Sequence, residues 1–561
     1  MKRLLFVPFL LLAIHLIAQT GTIKGKVSTK DGKPAEFVNV FLLGTQKGAI
    51  VDKEGSYVIE NVKHGSYTIV ASFTGVNTQS KTVAVENGKT VQVDFSMAEN
   101  SKELSEVIVT ANPSKYVTDY PSVSLRLQSP LLEIPQNIQV VTKQVIQEQQ
   151  AFDMLESITR NVSGARRMEH WDNYAVVYMR GAQIAAYRNG MNLTMYWSPQ
   201  TEDMSIVERI EFVKGPAGFM LANAEPSGFY NVVTKKPTGI QKGEFAMTIG
   251  SYNTYRTTLD LDGKLNKSGK LLYRFNVMAQ SKASHRPYEY NNRVLLAPVL
   301  KYIFNEQTSL TAEYTYSTTK MSPIGTNYAF SPVGYADLPV DYTTAEPNMS
   351  PTKLKEHTAF LTMLHKFDDN WKFTGQVAYV RSEQLGESLW PWGFNVAGDT
   401  IYRGIANWDY LGESKVGQFF VNGDIYTGKL RHRILAGIDM SDKTFFHDWS
   451  QGGMFGSQDI YNPTYGLVAA SDYPVYDRSL DIRSRGVKYR EAYTGYYVQD
   501  EIALFKDKLR LTLARASSPG TFARPCSRIS FALHWPDVTR RPPAKILIAV
   551  WMPRDLHHVW A

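Results

Sequence analysis

Apolar and polar residues alternate in a long series of segments between residues 242 and 513, each about 9 to 11 residues long. One clear alternation contains Phe245, Met247 and Ile249. This period of two predicts β-strands that have one apolar and one polar face. The chain has no run of roughly 18 apolar residues, which a membrane-spanning helix needs. If the protein enters a membrane, we therefore expect it to do so as a β-barrel, because a closed sheet satisfies every backbone hydrogen bond.

The connections between these segments differ in length on the two sides. Short turns are predicted at 266–269, 304–307 and 367–370, and long polar, aromatic-rich excursions at 318–355, 382–414 and 442–489. Outer-membrane barrels have short periplasmic turns and long extracellular loops. We count about eleven strands, the last ending near Leu513.

The N-terminus predicts export from the cytoplasm. Lys2 and Arg3 precede an apolar run over residues 4–17, which ends at Ala18. Basic, apolar and small residues in this order are typical of a secretory signal peptide, which we assign to 1–18.

Charge and cysteine usage point to an unusual C-terminus. The 561 residues carry a net charge of +8, but seven basic and two acidic residues lie in 515–561, so this segment accounts for +5. The same segment contains six prolines, no tyrosine and the only cysteine, Cys526. Proline at this density disfavours central strands. We interpret 515–561 as an aberrant tail produced by a change of reading frame near Ala514; a divergent C-terminal loop is the alternative. The basic charge therefore gives no indication of a nucleic-acid partner.

Residues 19–98 alternate in short runs separated by turn signals such as Lys53-Glu54-Gly55, which predicts a small β-sandwich. The segments GTIKGKVSTKDGKPAEFVNVFL and DKEGSYVIENVKHGSYTIVAS resemble the carboxypeptidase-regulatory-like domain. The only histidine of these segments, His64, lies beside a turn and has no ligand partner nearby in sequence. We expect an accessory module without chemistry of its own.

Residues 117–238 have a mixed α/β pattern. Six ordered blocks run from LLEIPQNIQVV through VSG, MRG, VERIE and VKGP to EPSGFYNVVTKKP. These blocks resemble the plug domain of TonB-dependent outer-membrane receptors of the siderophore branch. Receptors of this family close a barrel of 22 strands. The predicted fold is therefore mainly β: a small N-terminal β-sandwich, an α/β plug, and an incomplete transmembrane antiparallel β-barrel over 239–514 with about 11 of 22 strands.

The resemblance also gives a role to the linker at 99–116. Its β-branched run is similar to a TonB box, which adds as a strand to a partner's sheet; it consists of Glu106, Val107, Ile108, Val109, Thr110 and Ala111. The implied partners are TonB and the inner-membrane complex that uses the proton-motive force. The implied location is the outer membrane, in contact with its lipid, with the N-terminal domain in the periplasm.

We find no catalytic constellation and no metal-ligand spacing in the sequence, so we expect binding and transport rather than catalysis. The expected ligand is a ferric siderophore, whose iron is carried as a chelate, so we expect no directly bound cofactor or metal. Aromatic and arginine side chains suit such a ligand. The candidates in the plug and in a long loop are Arg166, Arg167, Trp171, Tyr174, Tyr196, Trp197, Trp390 and Trp392.

Two other interpretations remain open on the sequence. A SusC-like importer of oligosaccharides or peptides shares the regulatory-like domain and a similar box, although 215–218 and 234–237 favour the siderophore branch. The second alternative is a non-functional truncated receptor in which only the N-terminal modules fold.

Overall fold

The computed structural model describes residues 20–97, 116–517 and 545–551, with gaps at 30–31, 33, 37, 46, 73–78, 135, 155–157, 172–173, 196–200, 216–225 and 505–508. The predicted signal peptide and the predicted TonB box, Glu106 to Ala111, lie outside the described residues. The chain divides into two compact units, 1–111 and 112–561.

The first unit is a β-sandwich. Its strands are β1 (Thr20–Thr29), β2 (Asn39–Leu42), β3 (Gly48–Ile50), β4 (Ser56–Lys63), β5 (Gly65–Ser72), β6 (Gln79–Val85), β7 (Thr90–Gln92) and β8 (Phe95–Met97). One sheet joins β4, β1 and β7, with β8 also paired to β1, and the other has the order β3-β2-β5-β6. Alternate residues of β1 are buried, as a strand with one face on a core requires. Gly25 is needed there because a Cβ would lie 1.8 Å from the Val93 carbonyl oxygen.

The second unit begins with the plug. Its elements are β9 (Asn137–Thr142), α1 (Lys143–Glu148), β10 (Ala165–Trp171), β11 (Tyr174–Met179), β12 (Ala182–Gln183), β13 (Ala185–Arg188), β14 (Met191–Asn192), β15 (Val207–Lys214) and β16 (Gly228–Thr234). A five-stranded sheet has the order β14-β13-β16-β15-β9, and β10, β11 and β12 form a second sheet. The apolar core includes the fully buried Ile158, Ile210, Phe212 and Val232.

A large antiparallel sheet follows the plug. Its strands are β17 (Lys242–Gly250), β18 (Thr254–Lys264), β19 (Leu271–Ser281), β20 (Asn291–Ile303), β21 (Thr308–Met321), β22 (Thr352–Lys366), β23 (Trp371–Leu385), then β26 (Asp409–Thr427), β27 (Leu430–Asp448), β29 (Val487–Leu504), β30 (Leu509–Ser517) and β31 (Lys545–Trp551). Between them, β24 (Glu387–Phe394), β25 (Thr400–Asn407) and β28 (Gly452–Asp459) form a separate three-stranded loop sheet, and α2 (Ile482–Arg485) is a single helical turn.

The predicted fold class is confirmed: the chain is mainly β, and eleven strands of the large sheet lie within the described part of residues 242–517. The structure differs from the sequence prediction at the C-terminal side. Strand β30 continues to Ser517, and β31 pairs with it inside 515–561, where the composition predicted no strand. The reason is local, since the segment KILIAVW contains no proline and is rich in β-favouring residues.

Among the described residues, no helix is both long and apolar enough to cross a membrane.

The N-terminal domain provides a test of its own core. Ile69 is fully buried in β5, whereas Val58 in β4 is half exposed. In a fragment of residues 20–98, we expect Ile69→Ala to lower the free energy of unfolding by about 2–5 kcal/mol, because it leaves a cavity. Val58→Ala is the control and should cost less than about 1 kcal/mol. Urea unfolding measures both; equal effects, or a fragment without cooperative unfolding, would contradict an independent core.

Candidate functional site

The plug is held against the inner face of the large sheet by buried ion pairs. The Arg126 guanidinium lies 3.0 Å from Asp439 of β27 and donates to the Gln418 amide oxygen of β26 at 2.5 Å. It also lies between two rings, 5.4 Å from the Phe420 centroid and 4.9 Å from that of Tyr497. Charge, hydrogen bonds and ring faces thus act on one plug side chain.

A second contact forms at the end of β13. Arg188 donates to the Glu202 carboxylate at 2.6 and 2.8 Å and lies 3.7 Å from Glu356 of β22. Burial alone would lower the pKa of Arg188, but the charges of Glu202 and Glu356 outweigh it and raise that pKa. Glu202 therefore holds the Arg188 guanidinium in place beside Glu356 of β22.

A third contact joins the plug to β18. Arg256 of β18 binds both carboxylate oxygens of Asp203, at 2.6 and 2.9 Å. Burial favours the neutral acid, but the charge and hydrogen bonds of Arg256 outweigh it and hold the pKa of Asp203 below its usual range. Lys235 of the plug lies 2.9 Å from Asp260.

The segment around residues 191–195 contacts the large antiparallel sheet, which we call the wall, on the side of the long loops. Met191, Leu193 and Met195 pack with Phe360 and Val380 in one apolar cluster. Lys443 of β27 donates to the carbonyl oxygen of Thr194 at 2.7 Å. The predicted ligand residues Tyr196 and Trp197 follow directly, but they lie outside the described residues.

The structure places the other predicted plug residues on one hairpin. Arg166 and Arg167 lie on β10, both are exposed, and neither makes an ion pair within the described residues. Trp171 and Tyr174 are directly opposite each other where β10 meets β11. Their side chains lie outside what the structure describes, so their predicted role stays a prediction. The two arginines are available to an anionic ligand.

The loop candidates Trp390 and Trp392 differ from each other. Trp390 is half buried and contacts the rings of Tyr328 and Trp408 at 5.5 and 6.1 Å. Trp392 is 59% exposed, and its indole lies across Gly404 of β25. Trp390 therefore packs within the loops, and only Trp392 of this pair offers a free ring face.

Sequence reasoning missed the residues that hold the plug: Arg126, Arg188, Asp203, Glu356 and Asp439. Each pair is separated by at least 14 residues, and most by more than 50, so no local pattern connects the partners. Within the described residues, no cluster of three or more His, Cys, Asp or Glu side chains could hold a metal ion.

Comparison with known proteins identifies the two N-terminal modules. Residues 23–109 match the model of the CarboxypepD_reg-like domain, and residues 130–229 match that of the TonB-dependent receptor plug domain. These matches confirm both predicted resemblances.

Curated relatives cover more of the chain. The metal-pseudopaline receptor CntO of Pseudomonas aeruginosa is 27% identical over 363 residues, which are 61% of this chain and 49% of the relative. The ferrioxamine B receptor of Salmonella typhimurium is 24% identical over 422 residues, 72% of this chain and 58% of the relative. The chain thus spans about half the length of the curated relatives it matches.

Solved structures share the fold. The ferripyoverdine receptor of the outer membrane of Pseudomonas aeruginosa superposes with a TM-score of 0.63 at 18% identity, over 77% of this chain and 58% of that one. The ferric-catecholate import receptor Fiu of Escherichia coli K12 gives 0.59 at 18% identity, over 76% of this chain and 68% of that one. The chain therefore combines segments that match a CarboxypepD_reg-like domain and a TonB-dependent receptor plug domain with a large antiparallel sheet that shares the fold of these two solved structures.

Proposed function

We propose that this chain belongs to an outer-membrane receptor that binds a ferric siderophore at the plug and the long loops and imports it at the expense of energy delivered by TonB. The observation that carries the proposal is a plug domain seated against the inner face of an antiparallel wall by buried ion pairs. The relatives, which are named as receptors for metal-pseudopaline and ferrioxamine B, support this ligand class.

In this proposal the residues bind the ligand and let it pass, and they carry out no covalent chemistry. Iron arrives within its chelator, so the protein needs donors and ring faces for the organic shell. Arg166 and Arg167 provide exposed donors, and Trp392 provides an exposed ring. Trp171, Tyr174, Tyr196 and Trp197 are proposed as further contacts from sequence.

Coupling to TonB is proposed through the segment from Glu106 to Ala111. An extended β-favouring segment can join a partner's sheet edge through backbone hydrogen bonds alone. The N-terminal domain and this segment would then lie in the periplasm. Energy delivered by TonB is needed because the ion pairs that hold the plug must be broken before a large chelate can pass.

The long loops are fixed over the wall by a charged segment at 470–486. Arg478 and Arg485 reach the same carboxylate, that of Asp409, at 2.9 and 2.8 Å. Arg485 also binds Asp448. Both carboxylates are buried at the start of β26 and the end of β27. This segment, which we call the strap, is therefore tied to the loop-side ends of β26 and β27.

Iron uptake tests the proposed function directly. We expect cells that lose the gene to take up less radio-iron from its siderophore under iron limitation, with rescue by the intact gene and loss of uptake when TonB is absent. Growth that depends on an oligosaccharide or peptide, and is indifferent to iron, would contradict the siderophore assignment and favour a SusC-like importer.

Ligand contact and plug fixation can be separated with two sets of arginines. Arg166→Ala with Arg167→Ala should weaken siderophore binding at least about 10-fold, because even one hydrogen bond from a charged group contributes about 1.5–3 kcal/mol. Thermal unfolding should not change. Arg166→Lys with Arg167→Lys is the matched control and should retain most binding. Unaltered binding by the alanine variant would exclude this hairpin as a contact.

Arg126→Ala should change the stability of the plug, which the substitutions of Arg166 and Arg167 leave unchanged. It leaves Asp439 buried without its charged partner, which costs about 3–5 kcal/mol in a buried pair. We expect limited proteolysis to cut the plug faster and thermal unfolding to begin earlier, relative to the Arg167→Ala control. An unchanged proteolysis rate would show that this ion pair does not hold the plug.

The strap should respond to pH through Glu387 of β24. Burial raises the pKa of Glu387 to about 7, against weaker opposing effects of Ser350 and Arg478. Between about pH 4.5 and 7, the Glu387 carboxyl is therefore protonated in the folded loop and ionised in the unfolded loop. Because the folded loop holds the extra proton, its stability falls as pH rises through this range. We expect protease protection of 452–486 to decline over that range and Glu387→Gln to remove the decline. An equal decline in the variant would assign the effect to another group.

A further inference from the structure

Two lysines face each other on the inner face of the wall, at the end that carries the short turns. Lys366 is the last residue of β22, Lys372 is the second residue of β23, and the strand register places them directly opposite each other. Residues an even number of positions apart share one face of a strand. Lys366 therefore lies on the same face as Glu356, which contacts Arg188 of the plug.

Lys372 lies beside the backbone of the plug. Its neighbour across β26 is Asn422, whose side-chain amide donates to the carbonyl oxygen of Arg126 at 3.0 Å. Further along β23, on the same face, Gln376 binds Gln418, which accepts a hydrogen bond from the Arg126 guanidinium. The lysine pair is thus next to the place where the plug segment around Arg126 meets the wall.

No carboxylate compensates the two ammonium groups within the described residues. The charge that acts on Lys372 is the like charge of Lys366. The carboxylates of the adjacent turns and of the turn-side end of β26 are those of Glu306, Asp368, Asp369 and Asp424.

Each of these carboxylates is engaged elsewhere or points away from the pair. Asp424 accepts from Arg431 at 2.8 Å, and Asp368 accepts from two backbone N–H groups of its own turn. Glu306 and Asp369 are exposed on the turns and make no ion pair with either lysine in the part of the chain that the structure describes.

Like charges that are directly opposite each other across two strands are destabilising. Both lysine side chains are half buried, so water screens their repulsion less than it would on an exposed turn. An anion that lies between the two ammonium groups would offset this repulsion. Lysine and arginine side chains that line a passage are also the groups that select anions in pores.

We propose that Lys366 and Lys372, which we call the lysine pair, form an exit subsite for the transported chelate, and that this chelate carries a net negative charge. A ferric tris-catecholate is such an anion, whereas a ferric tris-hydroxamate is neutral. The exposed Arg166 and Arg167 of the plug favour the same charge. The inference rests on the proposed function, because it names the charge of the ligand that the receptor imports.

The position of the lysine pair determines which step it affects. The long loops and the plug surface capture the ligand, whereas the pair lies at the opposite end of the wall, beside the Arg126 contact that must open when the plug is displaced. The chelate therefore meets the pair only during passage. Loss of the pair should lower the rate of import and leave the affinity of capture unchanged.

The test measures radio-iron import by cells that produce the full chain in place of the lost gene. The probes are two ferric chelates built on one triamine scaffold, with either three catecholates or three hydroxamates. We expect Lys366→Gln with Lys372→Gln to lower the maximal import rate of the tris-catecholate chelate about tenfold, the loss expected for one hydrogen bond from a charged group. Its dissociation constant and the import of the tris-hydroxamate chelate should not change.

Two further variants separate an exit subsite from a general effect of charge. Lys366→Arg with Lys372→Arg should import as the wild type does. Lys267→Gln with Lys429→Gln removes the same charge from exposed turns at the same end of the wall and should have no effect. Thermal unfolding of the Lys366→Gln, Lys372→Gln variant should not begin earlier, because the substitutions relieve repulsion. Earlier unfolding would assign the pair a structural role and overturn the subsite.

The remaining outcomes distinguish this inference from the proposed function. Equal import of the two probes by the wild type, import of neither probe, or equal losses in the Lys267→Gln, Lys429→Gln control would overturn the inference alone. The ferric complex of the siderophore that the cells themselves use should migrate toward the anode in electrophoresis. Import of a neutral or cationic complex would overturn the inference and leave the proposed function intact. Absence of any siderophore-dependent iron import would overturn both.

Discussion

The buried contact between Arg126 and Asp439 is the interaction on which the arrangement of plug and wall depends most. An isolated guanidinium inside a protein is strongly disfavoured, so Arg126 can lie there only while Asp439, Gln418 and the rings of Phe420 and Tyr497 surround it. The four partners come from three strands of the wall. The plug residue therefore fixes the strands relative to one another, as well as its own position.

Polar contacts of this kind explain why the inner face of the wall can be hydrophilic along its length. Glu313 and Glu356 face the plug, while Tyr314 and His357, one residue further along, face outward. A strand of period two satisfies both surroundings at once. One sequence pattern therefore determines the plug contacts and the outward surface together.

Much of the fold could be predicted from sequence because its signals are local. Alternation indicated the strands of the large sheet, and turn residues separated the strands of the sandwich. The candidate site was harder to predict from the sequence. Arg126 and Asp439 are 313 residues apart, and nothing near either residue marks it as half of a pair. Trp390 is of a residue type that suits a ligand contact. Its ring, however, packs against Trp408, which directly precedes β26 and is 18 residues away in sequence.

A plug that is held by charged pairs differs from one held by an apolar core in how it can be released. Apolar contacts are lost gradually as area is exposed, whereas a buried ion pair loses most of its strength when water first reaches it, because the effective dielectric constant rises steeply. Arg188 and Glu356, Arg256 and Asp203, and Lys235 and Asp260 are all of this type. Once a small displacement has wetted the first pair, the next pairs are exposed to water in turn. In the proposed transport step, a modest pull at one end of the plug would therefore begin a release that the static strength of the whole interface otherwise opposes.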